Sequence, residues 1–497
     1  MSLSIKTLNV CAALLCAVYA LGQSQMLDSI HIIQDSRSLN TFESTDNAAT
    51  IGLSGYTQYG YASVMAKNIN GNFKRPMEAE RSNQLEIELG GFKKLKNWIY
   101  KTDFSYKKQY DKNVPWSGVA NAYEGNPFIW ADSSAGDWQR DHVKTSISLE
   151  TPSIFKNILT GLKLDYQIGS GARISEPKPF YRQRYIALIP AINWIITPSK
   201  SLGFTAKINF IQEENEMGFY TNSNVLLYRL RGYGTFSKTP FVSGERKRSG
   251  QELEARIHYQ FQAKKYQFLI SGFASQREEE INEGVAILNP SGFYSEINYG
   301  GNVALQSGKA NNGKSVSLAY RLKNGFADDV IFRAQSASFI EHSFNANVSL
   351  WHSSNLSQSL WQYTIKPEFN FIEYTDQATV TQLSAATIGT KLLANWRKSI
   401  GQNIYLHVQP FVGYSYVTYS NFINLGENII TRNLILPDYH YFSANNFQYG
   451  GEISLTLNQL NKNTVHSISL KNNTDMVLNN PTFTDRNNTS LNYLIIF

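Results

Sequence analysis

The sequence predicts an all-β protein: a single transmembrane antiparallel β-barrel. Three observations carry that prediction. Apolar and polar residues alternate with period two from about residue 50 to the end, with no convincing helical stretch between. The alternating runs reach about nine residues or more, the length a tilted strand needs to cross hydrocarbon, whereas soluble strands average about five or six. Short and long connections also alternate along the chain, the rhythm of short periplasmic turns and long extracellular loops.

At the N-terminus, Lys6 precedes an apolar run from Leu8 to Leu21 that ends in Ala20-Leu21-Gly22. A basic start, an apolar stretch of this length and small residues at the cut predict a cleaved signal peptide over 1–22. The run is too short for a spanning helix of about 20 residues. Lipidation at Cys16 is disfavoured, because Leu15 precedes it and cutting there leaves a very short apolar region. Residues 23–49 are polar and unpatterned, and are expected to form a periplasmic tail or a small plug. Leu27-Asp28-Ser29-Ile30-His31-Ile32-Ile33 faintly resembles the motif by which energised receptors engage an inner-membrane motor. Those receptors carry a plug domain far larger than the segment before the first strand.

The barrel is expected over 50–497, and four stretches show its two faces well. In 143–150, Val143, Ile147 and Leu149 oppose Lys144, Ser146, Ser148 and Glu150; in 202–210, Leu202, Phe204, Ala206, Ile208 and Phe210 oppose Thr205, Lys207 and Asn209. In 403–418, Ile404, Leu406, Val408, Val412, Tyr414 and Tyr416 oppose Asn403, His407, Gln409 and Ser415. In 447–458, Phe447, Tyr449, Ile453, Leu455 and Leu457 oppose Gln448, Glu452, Ser454, Thr456 and Asn458.

Short connections fall near 91–97, 152–157, 197–201, 262–265, 308–313, 353–359, 397–402 and 459–463. Long ones fall near 66–81, 109–137, 169–183, 214–249, 278–295, 324–341, 375–381, 420–443 and 475–488. With both termini periplasmic, the tally is about 18 strands, within a range of about 14–18 that depends on the weak segments between 296 and 340. Pro190, Pro367 and Pro410 interrupt apparent strands and are expected at bulges or strand ends, since a closed barrel has no free edge.

The chain ends on an apolar strand whose Leu491, Tyr493, Ile495 and Phe497 share a face. This ending resembles the C-terminal assembly signal of bacterial outer-membrane β-barrels, which the barrel-insertion machinery reads. The 29 Tyr and 28 Phe beside a mean hydropathy of only −0.32 fit a wall apolar on one face and polar on the other. Both cysteines lie in the segment expected to be removed, so neither disulfide nor thiolate chemistry is expected. The eight histidines are dispersed, and no metal or cofactor is expected. A net charge of +7, or +6 without Lys6, does not point to nucleic acid and hints weakly at anionic solutes.

Three groups of residues are candidates for chemistry. Trp351-His352-Ser353-Ser354-Asn355 resembles the His-x-Ser-Asn core of outer-membrane phospholipase A, in which His activates Ser. Here Leu356 stands where that family has glycine, and the topology puts 353–359 in a periplasmic turn, so turn chemistry is the stronger reading. The acidic runs Glu213-Glu214-Asn215-Glu216 and Glu278-Glu279-Glu280 read as solvated loops or strand ends, with divalent-cation binding the weaker alternative. Two basic, aromatic-rich loops offer Arg173, Lys178, Arg182 and Arg184, and Arg229 and Arg231 beside Lys238, Arg246, Lys247 and Arg248. Folded inward, these would form an anion-attracting constriction; facing outward, they would meet lipopolysaccharide phosphates or water.

The stretch Gly161-Leu162-Lys163-Leu164-Asp165-Tyr166-Gln167-Ile168-Gly169-Ser170-Gly171-Ala172-Arg173, with Pro177-Lys178-Pro179 and Arg229-Leu230-Arg231-Gly232-Tyr233-Gly234, is similar to a family of uncharacterised outer-membrane barrels of Bacteroidetes-type bacteria. The resemblance implies the barrel fold and the outer membrane, and it transfers no activity. The expected function is a porin-like or substrate-selective channel for small hydrophilic solutes with a mild anion preference. The alternatives are a non-conducting barrel partnered in a multi-protein surface complex and, less favoured, a hydrolase using His352 and Ser354. Outer-membrane lipid, lipopolysaccharide, the insertion machinery, small solutes and an outer-membrane protein are the expected partners.

Overall fold

The computed structural model describes residues 41–54, 58–153, 155–218, 226–240, 243–309, 312–331, 333–354, 359–459 and 464–497. The expected signal peptide and most of the 23–49 segment lie outside them.

The chain runs through β1 (Gln58–Gly71), β2 (Arg81–Leu95), β3 (Trp98–Val114), β4 (Trp130–Asp132), β5 (Gly136–Glu150), β6 (Ile158–Arg173) and β7 (Phe180–Thr197). It continues through β8 (Lys200–Gly218), β9 (Leu226–Leu230), β10 (Phe236–Pro240), β11 (Ser243–Gln262), β12 (Tyr266–Gly284), β13 (Leu288–Lys309) and β14 (Asn312–Asp329). Then come β15 (Ala334–Ser354), β16 (Ser359–Asp376), β17 (Thr381–Gly401), β18 (Ile404–Asn424), β19 (Asn446–Gln459), β20 (Thr464–Val477) and β21 (Asp485–Ile496). All except β4, β9 and β10 form one antiparallel sheet of 18 strands, and β1 pairs with both β2 and β21. The sheet is therefore a closed barrel, which leaves no edge to protect.

Side-chain alternation sets what each face meets. Along β19, Ile453, Leu455 and Leu457 are exposed outward while Ser454, Thr456 and Asn458 are buried toward the lumen. The same parity holds in β8, with Phe204, Ile208 and Phe210 outside and Thr205 and Asn209 inside. An exterior this apolar is stable only in lipid, so the barrel is a transmembrane one. Trp98, Trp194, Tyr266 and Trp361 stand exposed on this face beside short connections, where an amphipathic ring meets the headgroup level.

The short connections lie where the sequence places them, but several long ones are shorter than expected. Residues 285–287 and 330–333 alone join β12 to β13 and β14 to β15. The strands instead continue past the membrane: β13 has 22 residues, against about 9–11 needed to span. On β11 the exposed apolar residues end at Leu253, and the outward positions beyond include Lys247 and Glu245. The acidic runs are part of these extensions and not loops. Glu213 and Glu279 are buried inward, with their sequence neighbours on the other face.

The three prolines are also placed differently from expectation. Pro190, Pro367 and Pro410 lie within β7, β16 and β18, and pairing with one neighbour lapses locally: between Leu188 and Ala191 toward β8, between Ile365 and Glu368 toward β15, between Val408 and Phe411 toward β17. Register resumes unchanged beyond each gap, so none is a bulge or a strand end. A long ladder tolerates one missing donor where a bulge would re-aim every later side chain.

Helix α1 (Thr41–Thr45) and a 3₁₀ turn (Ala48–Ser54) lie inside the barrel near the short connections. Ala48, Ala49 and Ile51 pack with Phe92, Ile99, Ala191 and Ile496 of the inner wall. Asn47 Nδ2 donates to the Ile192 carbonyl (3.1 Å), and the Gly52 amide donates to Glu150 Oε2 (2.7 Å).

Candidate functional site

At the other end, three long connections turn into the lumen. β4 and β10 flank β9 in a small antiparallel sheet. Its apolar face joins Trp116, Val119 and Ile129 to Tyr228 and Leu230, and to Ile430, Leu434 and Ile435 of the β18–β19 connection. That connection contains a π-helical turn (Thr431–Ile435) and helix α2 (Leu436–Phe442). The cluster reaches the wall at Leu383 of β17 and Tyr374 of β16. Apolar loop residues thus form a core inside the lumen, which shields them from water as no exposed loop could.

Buried charges anchor this core to the wall. Arg173 Nη2 of β6 meets Asp132 Oδ2 of β4 at 2.9 Å, with both side chains fully buried. Arg231 bonds Asp329 Oδ2 (3.1 Å) and lies 3.4 Å from Glu283 Oε2. The turn after β9 closes on Asp376 of β16, which accepts from the Thr235 amide (2.8 Å) and hydroxyl (2.7 Å). Gly232 permits that approach, because a Cβ there would sit 2.2 Å from Asp376 Oδ2. Glu124 of the β3–β5 loop lies 2.9 Å from Arg248 Nη2 of the wall, and Arg248 in turn approaches Glu213 and Glu279. Above the wall, Arg75 makes a bidentate pair with Asp438 of α2 (2.9 and 2.6 Å), and its Cζ lies 3.5 Å from the Tyr123 ring centroid. Burial opposes charge on Arg75, and the Asp438 carboxylate overrides it, holding the guanidinium above its ordinary range. Burial pushes the Asp438 carboxyl up while Arg75 pulls it down; the bidentate geometry makes the ionised pair the working state at neutral pH.

Two cavities run beside the core. One of about 550 Å³ lies against β1–β3 and β5–β7, with Gln84, Lys107, Gln109, His142, Lys144 and Gln167 among its lining residues. The other, about 670 Å³, lies against β15–β21 and β1. Both are lined by Ile69, Glu78, Tyr123 and Arg486, so they adjoin along β1. Among the described residues no cluster of three or more His, Cys, Asp or Glu is arranged to hold a metal.

The six residues expected at a constriction are not brought together, and none lines either large cavity. Arg173 and Arg231 are spent in the buried pairs above. Arg229 Cζ sits 5.7 Å from the Trp130 ring centroid. Lys178 pairs with Glu176 (3.3 Å), Arg182 with Glu216 (3.3 Å), and Arg184 bonds Gln212. Arg182 and Arg184 are exposed on the outward face of β7. His352 and Ser354 lie at the end of β15 beside a short connection, and the His352 imidazole has no hydrogen-bond partner among the described residues; Asn355 lies outside them. Leu491 and Tyr493 are exposed outward and Ile495 is half-buried. Phe497 is buried and exchanges backbone bonds with Gly60 (2.7 and 2.9 Å). A Cβ on Gly60 would sit 2.6 Å from the Phe497 ring, so glycine there seats the last residue against the first strand. Glu213, Arg246, Arg248 and Glu279, which fasten the β3–β5 loop, read as loop residues from their charge and are in fact strand residues; the period-two continuation of β8, β11 and β12 is the signal that places them.

A closed 18-strand wall, a polar lumen and loops latched inside it define a transmembrane β-barrel of the outer-membrane type, with a lumen part-filled by its own loops. The chain belongs to the family of unknown function DUF6850, whose profile matches residues 48–497. No curated protein matches it in sequence. Solved structures with similarity include the copper transporter OprC, at TM-score 0.46 and 10% identity, covering 85% of this chain and 62% of that one. BauA, the ferric preacinetobactin receptor from Acinetobacter baumannii, gives TM-score 0.40 and 8% identity over 88% of this chain and 80% of its own. The ferric citrate transporter FecA gives 0.39 and 8% over 89% and 79%. This chain spans less than two thirds of the length of OprC. The cargoes named for those proteins are theirs alone.

Proposed function

We propose that the protein is a gated channel of a Gram-negative outer membrane, passing small hydrophilic solutes along the flank that the inward loops leave open. The observation that carries this reading is the pair of adjoining polar cavities beside a loop core whose small sheet is separate from the wall's sheet and latched to it by side chains. Lipopolysaccharide would surround the strand extensions, where Arg182 and Arg184 face outward, and the insertion machinery would read Leu491, Tyr493, Ile495 and Phe497. The mild anion preference rests on lysines and not on the loop arginines. Lys107 and Lys144 line the smaller cavity without an ion-pair partner among the described residues, and the lining carboxylates Glu78, Glu86, Asp111 and Glu124, with Glu86 opposite Lys107 in register, keep the preference mild.

Planar-bilayer recording under a salt gradient tests this. The expected result is small, flickering steps from the full chain, larger steady steps from a variant lacking 117–131, and a reversal potential shifted toward the anion. Lys107→Glu with Lys144→Glu should reverse that shift. A barrel lacking both 117–131 and 41–54 that folds and stays silent would reject the channel and favour the non-conducting subunit of a surface complex, which the filling at both ends also fits.

A further inference from the structure

The larger cavity has an unusual floor. Six successive strands, β16 to β21, each contribute at least one neutral hydrogen-bonding side chain to it: Asn370, Thr387, Ser415, Asn446 with Gln448, Asn473, and Asn488. Asn370 stands opposite Thr387, Ser415 opposite Asn446, and Asn473 opposite Asn488, so the groups form a polar tier built of three opposed pairs. Among the described residues the side chains of Asn370, Thr387, Ser415 and Asn488 have no hydrogen-bond partner, and buried Asn473 Oδ1 has none either. The roof is aromatic and comes from three loops: Phe73, Tyr123, Tyr441 and Phe442. Phe73 stacks on Tyr441 with centroids 4.7 Å apart. Its two cations are opposed, Arg75 by Asp438 and Arg486 by Glu78 at 3.9 Å, while the carboxylates Glu341 and Asp475, on separate strands, have no ion-pair partner among the described residues.

Each amide offers both donors and acceptors and each hydroxyl can play either role, which matches a ligand whose own groups do the same. Aromatic rings pack against the apolar faces of such a ligand without asking for charge. A volume of about 670 Å³ is within the roughly 300–1,000 Å³ of small-molecule sites. An anionic solute would find no unopposed cation here and would meet Glu341 and Asp475. We infer that this tier binds an uncharged polyhydroxylated solute, a short saccharide, in transit through the barrel; the transit rests on the channel reading above, the binding does not.

Calorimetry on the detergent-purified full chain tests the site, with maltotriose, xylotriose and tri-N-acetylchitotriose as probes and citrate and inorganic phosphate as controls. At least one saccharide should bind saturably and equally at low and high salt, because neutral contacts are not screened. Asn370→Ala combined with Asn488→Ala should weaken binding tenfold or more, and so should Tyr441→Ala; the wall pair guards against a roof variant that merely disturbs the loops. No heat with any saccharide, binding untouched by the wall pair, or binding of citrate or phosphate alone would overturn the inference. Because binding is read without conduction, a conducting barrel that binds no saccharide loses only this site. A silent barrel that binds one loses only the channel.

Discussion

Leu455 and Ser454 adjoin in sequence and face opposite media, one 47% exposed on the outer wall and the other 8% exposed beside the lumen. That parity is the residue-scale content of the fold, and it is directly testable. Leu455→Arg places a charge in hydrocarbon and should cost about 2–4 kcal/mol near the midplane. Ser454→Arg points into a polar recess that Glu452 also lines and should fold normally. Folded fractions in lipid vesicles, read by heat-dependent gel mobility, distinguish the two, and equal yields would invert the wall. Parity also shows where legibility in the sequence stopped. Glu278, Glu279 and Glu280 have the same chemistry, and only the strand period tells that Glu279 alone is buried. Composition reads as loop or strand end; the strand runs on through all three residues, because an antiparallel ladder continues as long as its backbone partners do, whatever the side chains.

Elements follow the same logic one level up. Each connection was legible from its turn residues, and the strand number followed. The lengths of several loops were not, because outside the membrane a strand no longer needs an apolar face, and the signal that marks it fades. The latching of loops to the wall was hidden for another reason: pairs such as Asp132 with Arg173, or Asp376 with Thr235, are remote in sequence. These latches can be tested as units. Arg173→Met leaves Asp132 buried and unpaired, which should cost the docked β3–β5 loop about 3–5 kcal/mol and expose 115–135 to proteolysis while the wall stays folded. Adding Asp132→Leu removes the stranded charge and should restore most of the protection. A double variant as sensitive as the single would show that the pair specifies the loop's position beyond relieving a charge. Among the wall strands, Pro190→Ala restores a donor facing the gap toward β8 and should raise stability by about 0.5–1.5 kcal/mol in a denaturant titration.

At the scale of the whole molecule, the lumen is filled twice, by the loop core at the long-connection end and by residues 41–54 at the short-connection end. Two obstructions along one path act as resistances in series, so the larger one sets the current until it is removed. This gives a prediction that neither filling yields alone. A variant lacking 41–54 and a variant lacking 117–131 should each raise single-channel conductance modestly, since the other obstruction remains. The variant lacking both should exceed the sum of the two increments. If removal of 117–131 alone already gives the conductance of the double variant, the α1 segment offers no barrier and serves only to brace Ile99, Ala191 and Ile496. If removal of 41–54 alone does so, the cavities along β1 are continuous past the loop core, and the core shapes the route without closing it.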